Sequence, residues 1–357
     1  MNLLKRERDQ PEKSRAEMGQ AEMGQAEMGP PGGSLLDLRG LGLAVPAGRE
    51  WRPLVEEVDL SIGRGEAVGL VGESGSGKSM TARTILGLTP PGARVTGDIV
   101  FDGTRVTGMD RRALRGLRAR RIAMVFQDPR AHINPVHSIG DFLTEAMIAN
   151  LDVPAPEAKA RAVRLLSDVG IADGERRMRQ YPHELSGGLL QRVMIASVLA
   201  VEPDLILADE PTTALDVTTQ SEVMAILDEL RRERGTAMLL ITHDLELAAA
   251  TCDRLAVMYA GRIVETQAAG ALTATPRHPY TSGLMLSRPS IDQVVHRLSV
   301  IPGRPLAAFE ADDGCAFAPR CAHARPFCGD GRPGVVELEG ARVACTRAGE
   351  LTLQGES

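Results

Sequence analysis

The sequence predicts an α/β protein built on a mostly parallel sheet, and three observations predict it. Short apolar runs alternate with amphipathic stretches over residues 34–275, the pattern of strands joined by crossover helices. Three of the runs, Ala67–Val71 (AVGLV), Leu205–Ala208 (LILA) and Ala237–Ile241 (AMLLI), are apolar throughout, as strands buried on both faces are. Between the last two, Val223, Ile226, Leu227 and Leu230 repeat at helical spacing over Val217–Arg232.

Taken in order, residues 1–33 read as a disordered tail. Ala16–Pro30 is a three-fold pentapeptide repeat (AEMGQ, AEMGQ, AEMGP) that glycine keeps from forming a stable helix. AVGLV runs straight into a glycine-rich loop, and Met80–Leu88 follows as a helix. Asp141–Val169 is mainly helical and sits between two candidate nucleotide motifs, which predicts an inserted helical subdomain over about 128–195. Leu189–Ala200 is a further helix. From His278 onward Pro and Gly become frequent, and Phe309, Phe317 and Phe327 fall beside a cluster of cysteines. Residues 276–357 therefore read as a separate, loop-rich module.

Composition sets limits. The chain has 357 residues, 43% of them apolar, which supports a sizeable core. A net charge of −6 argues against nucleic acid as the main partner. No apolar stretch approaches the roughly 20 residues that span a bilayer, and no apolar segment follows Lys5, Arg6 and Arg8 as a secretory signal requires. The expectation is a cytosolic protein, with any membrane part supplied by another subunit.

Gly72, Glu73, Ser74, Gly75, Ser76, Gly77, Lys78 and Ser79 (GESGSGKS) follow a strand and open a helix. Backbone amides and the helix N-terminus there face an anion, Lys78 neutralises the β- and γ-phosphates, and Ser79 offers its hydroxyl to Mg²⁺. Met80 continues the helix at the edge of the site. LILADE places Asp209 at a strand tip, within reach of Mg²⁺. Glu210 follows as a carboxylate able to polarise the attacking water. Val125–Pro129 (VFQDP) supplies Gln127, for both Mg²⁺ and water. Ile241–Asp244 (ITHD) supplies His243, for the γ-phosphate. Leu185–Arg192 (LSGGLLQR) puts Ser186, Gly187 and Gly188 before a second helix, with Gln191 one turn on. That is a second phosphate-binding turn in a chain with one phosphate loop, so the nucleotide it meets belongs to another subunit.

The order GESGSGKS, VFQDP, LSGGLLQR, LILADEP, ALD, ITHD resembles the ATP-binding cassette (ABC) ATPases over residues of about 35–270. The resemblance implies a P-loop NTPase cassette with a RecA-like core, an antiparallel β subdomain and an inserted helical subdomain. It implies ATP and Mg²⁺ as ligands. It also implies head-to-tail pairing, each ATP lying between the phosphate loop of one cassette and the LSGG segment of the other, with Ala214–Asp216 linking the sites and Asp216 near the nucleotide. The family stacks an aromatic ring on adenine before the phosphate loop. Here Val45 holds the expected place and Trp51 is the only aromatic nearby, so the stacking residue stays open.

Tyr181–Leu185 (YPHEL), Asn134-Pro135, Pro276–Thr281 (PRHPYT), Ile301–Pro305 (IPGRP) and GCAFAPRC narrow the resemblance to the ATP-binding subunits of dipeptide and oligopeptide importers. Importers of nickel or another small solute share much of this, and a non-transport ABC ATPase is the alternative from another class. The importer reading implies a second cassette, two membrane permease subunits, an extracytoplasmic solute-binding protein, and a place on the cytoplasmic face of a bacterial membrane. Cys315, Cys321, Cys328 and Cys345 lack the tight pairs of structural zinc sites. Four thiolates can hold a [4Fe–4S] cluster, as similar spacing does in some peptide-importer subunits. Zinc and metal-free thiols are the other readings. Cys252, at a helix end in the cassette, reads as buried and structural.

Overall fold

In this computed structural model residues 33–212, 217–287 and 300–355 are described. The pentapeptide repeat and Ala214–Asp216, with the expected role of Asp216, lie outside them. The chain opens with a long hairpin, β1 (Leu36–Ala47) and β2 (Glu50–Ile62), then β3 (Ala67–Val71) and α1 (Lys78–Ile85). Next come β4 (Arg94–Phe101), β5 (Thr104–Arg105), α2 (Arg111–Arg120) and β6 (Ile122–Val125). A run of helices follows: α3 (Pro129–His132), α4 (Ile139–Leu151), α5 (Ala155–Asp168), α6 (Gly174–Arg177) and α7 (Gly187–Leu199). The second half holds β7 (Leu205–Asp209), α8 (Val217–Arg234), β8 (Ala237–Thr242), α9 (Leu245–Thr251), β9 (Arg254–Tyr259) and β10 (Arg262–Ala268). Two short helices, α10 (Ala269–Ala274) and α11 (Pro279–Leu286), lead to a last hairpin, β11 (Val336–Leu338) and β12 (Ala341–Val343).

Among the described residues the strands form two sheets. The antiparallel one runs β2-β1-β4-β5, and the larger runs β11-β12-β10-β9-β3-β8-β7-β6. From β9 to β6 the larger sheet is parallel. Every residue of β3, β7 and β8 is buried, which is why these strands read as unbroken apolar runs rather than alternating ones. The register puts Val71 beside Thr242, Ile241 beside Asp209, and Ala208 beside Val125. Four strand ends therefore stand level and adjacent, and the loops leaving them open on one side. That is the crevice outside the carboxyl ends of a parallel sheet, where ligands of α/β proteins bind.

Between β6 and β7 the chain forms the helices α3 to α7. Ser138 caps α4, its hydroxyl accepting from the Asp141 amide at 3.1 Å while the Asp141 carboxylate accepts from the Ser138 amide at 3.2 Å, a reciprocal capping box. Leu143, Met147, Ala158, Ala162, Leu165, Leu166 and Leu190 are buried together where α4, α5 and α7 meet. Among the described residues no helix is long and apolar enough to cross a membrane.

The C-terminal stretch is loop-rich, as its composition predicts, but it does not stand apart from the larger sheet. Its strand β12 pairs with β10, Val343 opposite Glu265. Phe317 packs edge-on against Tyr259, with ring centres 5.4 Å apart, and lies 5.2 Å from Tyr280. His278 is fully buried in this aromatic group. Burial pushes its imidazole down to about 3, so it is neutral and its Nδ1 accepts from the Tyr280 amide at 3.0 Å, capping α11.

Candidate nucleotide-binding site

The phosphate loop joins the end of β3 to the start of α1. Gly72 has φ 149°, and a side chain there would place its Cβ 2.2 Å from the Met258 carbonyl oxygen, so only glycine fits. Gly77 stands at the N-cap of α1 with no side chain to cap it. The first amides of the helix are thus left for an anion.

Lys78 is buried, and its ammonium donates to the carbonyl oxygens of Gly72 (2.8 Å) and Glu73 (2.9 Å), with Ser76 Oγ at 3.5 Å. Burial lowers its pKa, against the opposing fields of Glu210, Asp209 and Glu73. A cation in the first turn of a helix opposes the helix dipole. Its place here fits an anion brought between the two.

Asp209 ends β7, fully buried. Ser79 Oγ donates to its Oδ1 at 2.6 Å. Its Oδ2 has no hydrogen-bond partner among the described residues and faces only the Arg83 guanidinium at 3.6 Å. Burial raises its pKa, while the Ser79 hydrogen bond and Arg83 pull it down. The Ser79 hydroxyl, the Asp209 carboxylate with an oxygen to spare, and the side-chain carbonyl of Gln127, which lines the same cavity as Ser79, offer oxygen donors. That is the set a hard cation such as Mg²⁺ takes.

Glu210, the next residue, has φ 45° and turns out of the strand. Its carboxylate is held from two sides. Gln127 Nε2 donates to Oε2 at 2.8 Å, and His243 Nδ1 lies 3.5 Å from Oε1. Gln127 leaves the end of β6 and His243 the end of β8, the two strands flanking β7. Ser74, Gly75, Gly77, Lys78, Ser79, Met80, Gln127 and Glu210 line one cavity of about 450 Å³, the size of a small-molecule site. Residues far apart in the chain thus meet as the motifs require.

The LSGG turn does not join them. Ser186 N-caps α7, accepting from the Leu189 amide at 3.4 Å, and a side chain added at Gly187 would meet nothing. Ser186, Gly187 and Gly188 are absent from the lining of the phosphate-loop cavity. Gln191 sits apart from that partly exposed turn, with 2% of its surface accessible.

Two arrangements were not foreseen from the sequence. Glu73 turns away from the cavity to a bidentate pair with buried Arg320 (2.6 and 3.0 Å), and its amide donates to the Tyr280 hydroxyl at 2.9 Å. The C-terminal stretch thereby grips the phosphate loop. In addition, Leu54, Ala307, Ala308 and Phe309 line the same cavity. Trp51 does not: it pairs with Pro46 near the tip of the hairpin, half exposed, and Val45 pairs with Arg52.

Cys315, Cys321, Cys328 and Cys345 are free thiols lining one cavity of about 20 Å³, room for about one water. Burial raises the pKa of Cys315, Cys321 and Cys345. Among the described residues no group of three or more His, Cys, Asp or Glu is disposed to hold a metal ion, so the [4Fe–4S] expectation gains no support from the geometry. Cys252 is buried as expected, its thiol pushed up to about 12 by burial.

The profile of the ABC transporter family matches residues 55–213, and that of the oligopeptide/dipeptide transporter C-terminal region matches residues 264–328. The oligopeptide transport ATP-binding protein OppD of Salmonella typhimurium is 42% identical over 299 residues, 84% of this chain and 89% of that protein. The dipeptide transport ATP-binding protein DppD of Bacillus subtilis is 40% identical, covering 85% and 92%. A solved dimeric ATP-binding cassette in a post-hydrolysis state, bound to ADP and Pi, superposes with a TM-score of 0.60 at 29% identity, covering 66% of this chain and 98% of that one. With the cassette fold, the assembled phosphate site and the C-terminal match in place, the chain belongs to the ABC transporter family, among its oligopeptide/dipeptide-type ATP-binding subunits.

Proposed function

We propose that the chain binds and hydrolyses ATP to power a membrane importer of dipeptides or oligopeptides. The observation that carries this is the single cavity that gathers Lys78, Ser79, Gln127 and Glu210 from separate segments. The peptide class rests on the C-terminal match and on what the named relatives transport.

Each residue then has a role. The amides of Gly72–Ser79 cradle the phosphates, and Lys78 exchanges its loop carbonyls for β- and γ-phosphate oxygens. Ser79, Asp209 and Gln127 would hold Mg²⁺, which when bound neutralises charge on those oxygens. Glu210 orients a water in line with the γ-phosphorus and draws its proton, positioned by Gln127. His243 contacts the γ-phosphate. Ser186, Gly187 and Gly188 close on the nucleotide of a second cassette, and that closure drives two permease subunits fed by an extracytoplasmic binding protein. The dimeric state of the superposed cassette supports this pairing. The chain then works as a peripheral subunit on the cytoplasmic face of a bacterial membrane, with residues 34–275 as the ATPase domain and 276–357 as the C-terminal module. A [4Fe–4S] cluster in that module rests on the spacing of its four cysteines alone, and iron with acid-labile sulfide in anaerobically purified protein is its measurement.

The test is uptake of labelled peptides in a strain lacking the chain. The wild-type gene restores uptake. The Glu210→Gln variant does not, its ATPase rate falling about 10²- to 10⁴-fold with ATP still bound. Uptake undiminished in that variant would overturn the assignment.

A further inference from the structure

The nucleotide cavity is lined by two chemically different sets of residues. Lys78, Ser79, Gln127 and Glu210 are polar or charged, and Leu54, Ala307, Ala308 and Phe309 are apolar. An ATP molecule has the same two characters, a polyanion and a flat, weakly polar base. The β1–β2 hairpin, which lies before the phosphate loop, supplies no ring to the cavity: Trp51 is outside its lining and Val45 is no aromatic. Among the described residues the one aromatic that lines it comes from the C-terminal stretch.

We propose that Phe309 is the adenine platform of this chain, so that the base of each ATP stacks on a ring supplied by the C-terminal module. The inference rests on the ATP-binding reading above and adds the base subsite to it. Phe309 is 44% exposed, so part of its ring is accessible in the cavity that it lines. The Arg52 guanidinium sits 5.2 Å from the ring centre, against the ring but outside the cavity lining. A cation on one face fixes the ring and leaves the opposite face for a π-system.

The ring is also held in advance. Arg304 pairs with Glu310 through two bonds (2.9 and 2.7 Å), and Glu310 accepts from the Ala307 amide at 2.9 Å. The turn 308–310 packs on β2, whose Glu56 amide donates to Gly261 (2.9 Å), while the Gly261 amide donates to Ser76 of the phosphate loop (2.9 Å). Base platform and phosphate cradle thus hang on one hydrogen-bonded frame. A stacked base contributes about 1–3 kcal/mol by alanine substitution, and the ring offers no hydrogen-bonding edge to tell adenine from guanine.

The experiment measures equilibrium binding of ATP, GTP and inorganic tripolyphosphate to the full chain and its variants. Phe309→Ala is expected to weaken ATP and GTP about ten-fold or more while leaving tripolyphosphate unchanged. Phe309→Trp is expected to restore ATP binding, and Trp51→Ala to leave it as in wild type. ATP affinity unchanged in Phe309→Ala would overturn the proposal, as would an equal loss for tripolyphosphate or a loss confined to Trp51→Ala. A wild-type chain that binds neither ATP nor tripolyphosphate would instead sink the ATP-binding reading itself. The partly exposed position of Phe309 keeps the variant foldable, and its thermal melting curve checks that.

Discussion

The phosphate loop and the LSGG turn are both helix N-termini after glycine-rich turns, yet the chain equips them differently. At α1 the cap is a glycine that satisfies no amide, and Lys78 stands in the first turn beside Asp209 and Glu210. At α7 the cap is Ser186, whose own hydroxyl takes up the Leu189 amide, and the first turn, Gly187–Leu190, carries no charge. The first end leaves its amides uncapped and has its own cation, with the carboxylates of Asp209 and Glu210 beside it. The second is nearly satisfied by itself, partly exposed, and outside the cavity. Equal backbone dipoles therefore do not make equal sites. On the function proposed above, the neighbouring charges decide which end binds a nucleotide alone and which closes over one bound elsewhere.

The largest effect that could break this comparison is expected at Gly187. Its Cβ direction is open space, so Gly187→Glu fits without strain, and a carboxylate at a helix N-terminus is favourable for the fold. Placed against the phosphates of a second cassette, the same carboxylate meets like charge, which costs several kcal/mol. ATP turnover is expected to fall about 100-fold or more, with ATP affinity of the isolated chain unchanged. Equal losses in both measurements would mean that the turn faces its own chain's nucleotide, and the distinction between the two helix ends would fail.

A smaller effect sharpens the other half of the comparison. Arg320 is 4% exposed and pairs with Glu73, itself 23% exposed. Arg320→Ala leaves a largely buried carboxylate on the phosphate loop without its cation. The expected cost is about 1–3 kcal/mol in chemical denaturation, with Glu73→Gln in the same chain recovering part of it. No recovery in the double variant would show that Arg320 acts by packing on Tyr259 rather than by gripping the loop.

Legibility in the sequence divides along the same line. Strands β3, β7 and β8 were legible because burial on both faces leaves them continuously apolar. The phosphate loop, Asp209, Glu210 and His243 could be read because each stands at the end of such a strand, and neighbouring strand ends share a crevice; Gln127 was read from the VFQDP segment. The Glu73–Arg320 pair was not, since its members lie 247 residues apart and neither position has a local pattern that requires the other. Phe309 was hidden for a related reason. An aromatic in a loop-rich stretch signals only local packing, and nothing in its surroundings shows that the turn 308–310 docks on β2. The stretch that reads as a separate, loop-rich module contributes β12 to the larger sheet, a pairing with β10 that two short strands are too weak a signal to announce. The buried side chain of Gln191 follows from helix geometry: five residues after Ser186, it has turned to the face of α7 that packs inward.

The smallest expected effect concerns the cap that separates the two helix ends. Ser186→Ala removes the hydroxyl that accepts from Leu189. Cap loss typically costs about 1 kcal/mol, and a bond of 3.4 Å belongs at the lower end of that range. Denaturation midpoints should therefore shift slightly, by about 0.5–1 kcal/mol, while ATP affinity of the isolated chain stays put because the turn does not line the cavity. Turnover separates two roles for the same hydroxyl. If Ser186 only caps α7, turnover falls no more than stability does. If its hydroxyl also meets the nucleotide of a second cassette, turnover falls well beyond the stability loss, and Ser186→Thr, which keeps a hydroxyl for both tasks, recovers it. Loss in both Ala and Thr variants would show that the turn tolerates no added bulk at closure, making its shape rather than its hydroxyl the part that engages the second nucleotide.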